Sequence, residues 1–159
     1  FAQFIGGDYP QVTQGYRHAF QPSEHCATPY VLVTVAAIVA DTDAEADDLA
    51  LPALLSRLRR LRGEIAPLPS LEEARAHPWT ERERAEALAA RNMIVGSPAA
   101  VRARLEALVH AYEADELMVV TIAPDYAART RSYELLAAAW AGEGAGGRSF
   151  GAAVARVGV

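Results

Sequence analysis

Pro29–Ala40, PYVLVTVAAIVA, is continuously apolar and rich in β-branched residues. A strand with one solvated face would alternate; this one reads as covered on both faces, as in a parallel sheet. Polar residues take over at DTDAEADDLA, where Thr42 and Glu45 stand in capping-box spacing and set a helix start near Asp43. The helix is predicted to pass Pro52 with a kink or restart, run through LLSRLRRLRG and stop near Gly63. Leu54, Leu58 and Leu61 form its apolar stripe, while Arg57, Arg59, Arg60 and Arg62 fall mostly elsewhere and read as a solvated face rather than a phosphate grip.

Prolines at 67, 69 and 78 predict an irregular connection over Glu64–Thr80, with a short helix at Ser70–Ala76 and a second helix over about Glu81–Arg91. The stretch VGSPAAVRARL, Val95–Leu105, poses a choice between an anion site and an ordinary helix start. Ser97 as N-cap, Pro98 at the first helical position and the spacing of Val101, Leu105, Leu108 and Tyr112 account for it without a ligand. The apolar core of ADELMVVTIA predicts a second buried parallel strand over Leu117–Ile122. PDYAARTRSYELLAAAW reads as a turn and a helix that brings Tyr126, Arg129, Tyr133 and Leu136 near one another. FAQFI at the start reads as the end of a strand. The order is that of a crossover unit with a large insertion, followed by a Gly- and Ala-rich, loosely packed tail over Gly142–Val159.

Composition narrows the function classes. A formal net charge of -5 argues against nucleic acid, which needs a basic face. All 15 cationic side chains are Arg, so lysine Schiff-base chemistry within the chain is excluded. Cys26 alone permits no internal disulfide and fits a reducing cytoplasm, and the four scattered histidines form no zinc-type ligand set, so no metal site is assigned. Ser97 and Cys26 have no visible base, which sets hydrolase chemistry aside. There is neither a run of the ~20 apolar residues a membrane span requires nor a signal-peptide pattern. Opening on Phe1 inside an apolar stretch, the sequence reads as lacking its true N-terminus.

Three blocks together, YRHAFQPSEHCATPYVLVTVAAIVADTDAEADDLA, VGSPAAVRARLEAL and ADELMVVTIAPDYAARTRSYELLA, resemble the C-terminal half of luciferase-like flavin-dependent monooxygenases. The resemblance covers most of Tyr16–Ala137 and rests on the order and spacing of the blocks. It implies an α/β fold, a partial (β/α)8 TIM-type barrel with parallel strands and crossover helices. Residues 1–141 would form that part of the barrel and about 64–91 an insertion that covers the site. FAQF would end the sixth strand, with Pro29–Ala40 as the seventh and Leu117–Ile122 as the eighth. A complete barrel typically needs ~250 residues, so 159 residues leave open strand edges to be covered by a missing N-terminal half or by a second copy.

The resemblance further implies noncovalently bound FMN, ahead of a deazaflavin, with a small organic substrate, oxygen and possible supply of reduced flavin by a reductase. Barrel enzymes place their chemistry at the C-terminal strand ends. The site residues implied are Gln3 and Tyr126 as hydrogen-bonding groups near the reacting face, with Phe1, Phe4, Thr121 and Asp125 holding the flavin. Gln3 and Tyr126 stand where relatives often carry His, which removes a group titrating near neutrality. Tyr126 reads equally as an aromatic packed at a helix start, and Asp125 favours a helix cap. Glu113 replaces a usual Gly, and a left-handed cap there would cost about 1 kcal/mol, so another helix ending is expected. The alternative class is a truncated flavin-binding or noncatalytic association module; a third reading, a plain α/β interaction domain, predicts antiparallel pairing of the two apolar runs.

Overall fold

The computed structural model describes residues 1–2, 9–89 and 93–141. Its elements in order are α1 (Pro10–Ala19), β1 (Leu32–Val39), α2 (Asp43–Leu61), α3 (Leu71–Ala76), α4 (Glu81–Ala89), β2 (Met93–Gly96), α5 (Pro98–Tyr112), β3 (Glu116–Val120) and α6 (Tyr126–Ala141). The three strands form one sheet in the order β2-β1-β3. Both ladders are parallel, with Ala36 to Val39 beside Met93 to Gly96 and Leu32 to Ala36 beside Glu116 to Val120. The two apolar runs are therefore neighbours pointing the same way, and antiparallel pairing is excluded. Ala2 adds a parallel bridge to Thr34.

Alternation along β1 sends its two sets of side chains to two cores. Val33, Val35, Ala37 and Val39 pack with Val101, Leu105 and Tyr112 of α5 and Leu136 of α6. On the other face Ile38 meets Val95 of β2 and Ala46 and Ala50 of α2. Among the described residues that second face is covered only near its C-terminal end: Leu32 and Thr34 are half-buried and Met118, beside Thr34, is 49% exposed.

The capping box at the start of α2 forms as the spacing predicts, Thr42 Oγ1 accepting from the Glu45 N–H and the Glu45 carboxylate from the Thr42 N–H. α2 is one continuous helix through Pro52, with no restart and with the ring buried. The predicted short helix and its successor are α3 and α4. They lie against the second half of α2, where Leu54, Leu55 and Leu58 share a small core with Ala74, Ala87 and Trp79. Leu61, expected in the stripe, is exposed instead at the last position of α2, while Leu55 joins Leu54 and Leu58 inside. Arg59 to Glu73 (2.6 Å), Arg62 to Glu83 (2.6 Å) and Arg75 to Asp48 fasten the same surfaces, so part of the arginine run pairs with the excursion rather than with solvent alone.

Two elements were not foreseen. α1 precedes the first long apolar run, and β2 is a four-residue strand whose apolar content is too short to signal itself. The ending of α5 also differs from expectation. Glu113 adopts the left-handed conformation (φ 49°, ψ 42°), and the Glu113 and Ala114 N–H groups donate to the carbonyls of His110 and Val109. This is the Schellman arrangement that also ends α2, where Gly63 supplies the positive φ at no steric cost. Arg17 holds the strained residue in place by donating to the Glu113 carbonyl from Nε (3.0 Å) and Nη2 (2.6 Å). The tail over 142–159 lies outside the described residues.

Candidate functional site

Parallel strands present their C-terminal ends together, and the loops leaving them are where a crossover fold can gather side chains from distant sequence. Here those loops are Ala40–Thr42 after β1, Ser97 after β2 and Thr121–Asp125 after β3. The β1–β3 ladder stops at Ala36 beside Val120, while β1 itself runs on to Val39. Beyond the ladder, α6 provides the partners. Ser132, buried, accepts the Val39 N–H at 2.8 Å, Tyr133 Oη accepts the Thr121 N–H at 3.1 Å, and Arg131 pairs with Asp41 at 2.8 Å. Asp41, its main partner, holds the Arg131 guanidinium above its ordinary pKa.

The opening of α5 answers the question its sequence poses. Ser97 caps through position but makes no side-chain cap bond; its own N–H donates to Asp43 Oδ1 at 2.6 Å. The helix N-terminus thus has an anion, and it is the chain's own. The Ser97 backbone N–H, then its hydroxyl, hold the Asp43 carboxyl below its usual range. The approach is so close that a Cβ on Gly96 would sit 2.9 Å from the same oxygen, which gives Gly96 its reason.

Of the site residues implied by the resemblance, three come together at this end. Thr121 is buried at the close of β3, Asp125 Oδ1 accepts the Ala128 N–H at 2.8 Å as a cap of α6, and Tyr126 is 75% exposed with the Arg129 guanidinium 5.4 Å from its ring centre. Phe1 is elsewhere. Its N–H donates to the Leu32 carbonyl at 2.6 Å and its ring lies 5.4 Å from that of Tyr112. That is about 13 Å from Thr121 along the strand direction, on the opposite edge of β1. Gln3 and Phe4 lie outside the described residues. Among the described residues no group of three His, Cys, Asp or Glu could hold a metal, and no helix is long and apolar enough to cross a membrane.

Sequence reasoning missed Asp43, Ser132 and Tyr133 as site-forming groups. Asp43 meets Ser97 across 54 positions, and no spacing rule reaches that far. Ser132 sits mid-helix, where its hydroxyl carries no signal until the short β3 leaves Val39 unpaired.

The fold so defined is a three-stranded parallel α/β unit in which loops from distant sequence meet at the C-terminal end of the sheet. No protein-family model matches it. Sequence comparison gives similarity to YceB of Bacillus subtilis (strain 168), 42% identical over 123 residues, covering 77% of this chain and 37% of YceB. A luciferase-like monooxygenase of Escherichia coli (strain K12) is 32% identical over 121 residues, covering 76% of this chain and 36% of that protein. The crystal structure of apo-MsnO8 superposes with a TM-score of 0.78 at 33% identity, over 87% of this chain and 43% of that one. The chain therefore spans about two fifths of the length of these relatives.

Proposed function

We propose that the chain is the C-terminal part of a luciferase-like (β/α)8 barrel, and that the whole protein is a flavin-dependent oxidoreductase acting on a small organic substrate with reduced FMN and oxygen. The observation that carries this reading is the parallel β1–β3 pair with Thr121, Asp125 and Tyr126 at its C-terminal end, in a chain similar to a protein named as a luciferase-like monooxygenase. In a barrel the second face of the sheet would look inward, and a missing N-terminal half or a second copy would cover Leu32, Thr34 and Met118.

The residues at hand fit the ring end of a flavin rather than its phosphate. Exposed Ile122 and Tyr126 supply apolar and aromatic surface. Of the three helix N-termini at this end, α2 is closed by its Thr42–Glu45 capping box, and Asp43 and Asp125 each already accept a backbone N–H at the starts of α5 and α6, which favours the ring over the phosphate. In this reading Tyr126 and Thr121 orient the ring and its substrate, and Asp125 fixes the loop that carries both. Gln3, as a hydrogen-bonding group, and Phe4, against the flavin, are carried forward as part of this reading; the role of Phe1 is not, because its ring is engaged with Tyr112. The flavin, when bound, supplies the redox chemistry with oxygen, while the protein positions it and excludes water. FMN is favoured over a deazaflavin, with a separate reductase as the source of reduced flavin, in the cytoplasm. The α3–α4 excursion is assigned as the cover of the site.

One observation favours a second reading. The half-open sheet face, with Met118 49% exposed, suits a module that works by association, binding flavin without turnover. Titration of FMN into the full-length polypeptide, followed by oxygen consumption after reduction, separates the two. Quenching with substrate-dependent turnover supports the enzyme, quenching without turnover supports the module, and no quenching at micromolar FMN removes both.

A further inference from the structure

We propose that Arg131, Ser132 and Tyr133 act as one positioning brace that sets the spacing between the exits of β1 and β3, and so the width of the site that the oxidoreductase reading places there. Three consecutive helical residues are turned about 100° from one another, so Ser132 can face the sheet only with its two neighbours flanking it on either side. They are used that way. Ser132 takes the Val39 N–H directly beneath the helix at 2.8 Å, Arg131 reaches the loop after β1 at Asp41, and Tyr133 reaches the backbone after β3 at Thr121.

Ser132 and Tyr133 take backbone N–H groups left without a ladder bond, since β1–β3 pairing ends at Ala36 beside Val120, and Arg131 adds an ion pair to the loop beyond. Without Ser132 the buried Val39 N–H would have no acceptor, which a native interior rarely tolerates. Arg131 also lies 3.9 Å from Glu134 on its own helix, so its fork is shared between the loop and α6 and couples the two. The Tyr133 oxygen is spent as an acceptor, so its proton points away from Thr121, and the residue remains 41% exposed. A shift of α6 by a fraction of an ångström therefore moves both loops together, and neither can widen alone.

Two measurements on the full-length polypeptide test this. In the first, amide hydrogen exchange compares wild type with Tyr133→Phe, which keeps the ring and removes only the acceptor. If the three residues are one brace, exchange quickens about tenfold at Thr121 and also at Val39, whose own partner is untouched. Unchanged Val39 exchange overturns the brace. In the second, FMN fluorescence quenching is read in Tyr133→Phe, Arg131→Gln and the double variant, well below their unfolding temperatures. Each single change is expected to weaken FMN about fivefold, and the double variant less than the product of the two. Affinity within twofold of wild type in both single variants overturns the role at the site, leaving a stabilising contact only. Absence of quenching by wild type overturns the flavin reading itself and, with it, any role at a flavin site, even where Val39 and Thr121 remain coupled.

Discussion

The two ends of the sheet are both tied by polar contacts, but in opposite manner. At the N-terminal end Arg17 joins Asp115, Asp115 accepts the Val31 N–H at 2.8 Å, Thr13 Oγ1 donates to the Tyr112 carbonyl at 2.8 Å, and the Tyr9 N–H donates to the Tyr112 hydroxyl at 2.9 Å. The side chains of Arg17 and Asp115 are 20% and 23% exposed. At the C-terminal end the corresponding pair, Arg131 and Asp41, is 54% and 59% exposed, and Tyr126, with Arg129 against its ring, is 75% exposed. Shielded contacts whose valences are spent on one another hold a fold together; exposed ones with donors to spare can meet a ligand. Under the proposed function the two ends would divide labour, the bottom structural and the top ligand-facing, as parallel barrels do.

The comparison breaks first at the bottom. Tyr112→Ala empties a fully buried ring site and removes a backbone partner, and is expected to cost about 3–5 kcal/mol by denaturant titration. Asp115→Asn, which keeps the shape and removes the charge facing Arg17, is expected to cost about 2 kcal/mol by the same measurement. Glu113→Gly sharpens the contrast in the other direction. It relieves the left-handed cap while the backbone carbonyl that Arg17 grips remains, and a gain of up to about 1 kcal/mol is expected. Tyr126→Phe at the top is expected to leave stability within about 0.5 kcal/mol while altering FMN quenching by the full-length polypeptide.

Acid acts on a third region, the excursion. The Thr80 N–H first, and then Arg62, hold the Glu83 carboxyl down at about 2, and Arg75 holds that of Asp48 below its ordinary value. Carboxyls lowered on folding stabilise the folded state fully above their unfolded values and lose that contribution as pH falls through the folded ones. Stability of the α3–α4 excursion should thus hold at pH 5 and decline between about 4.5 and 2, with Trp79 fluorescence as the local reporter. Glu83→Gln should flatten that decline.

What the sequence made legible follows from how far each signal travels. The capping box of α2, the spacing of Val101, Leu105 and Tyr112 on α5 and the first apolar run are local patterns, and each appears where the pattern put it. The second run, expected as a buried strand over Leu117–Ile122, is instead Glu116–Val120, half-buried with Met118 exposed, because its second face has no covering element among the described residues. β2 escaped because four residues are too few for periodicity, and the left-handed Glu113 because its support, Arg17, comes from 96 positions away. The place where side chains gather, the C-terminal ends of the strands, was legible, but their contacts were not. Asp43 to Ser97, Ser132 to Val39 and Tyr133 to Thr121 depend on tertiary packing that no spacing encodes. Nor did the sequence show that Phe1 would sit with Tyr112 at the far end.

The central claim, that the exits of β1 and β3 form a flavin-binding end while the opposite end is structural, can be read amide by amide. FMN titrated into isotope-labelled full-length polypeptide should shift the backbone resonances of Asp41, Thr121 and Tyr126 and leave those of Val31 and Asp115 in place. Shifts concentrated at Val31 and Asp115, or none at either end at millimolar FMN, would contradict it.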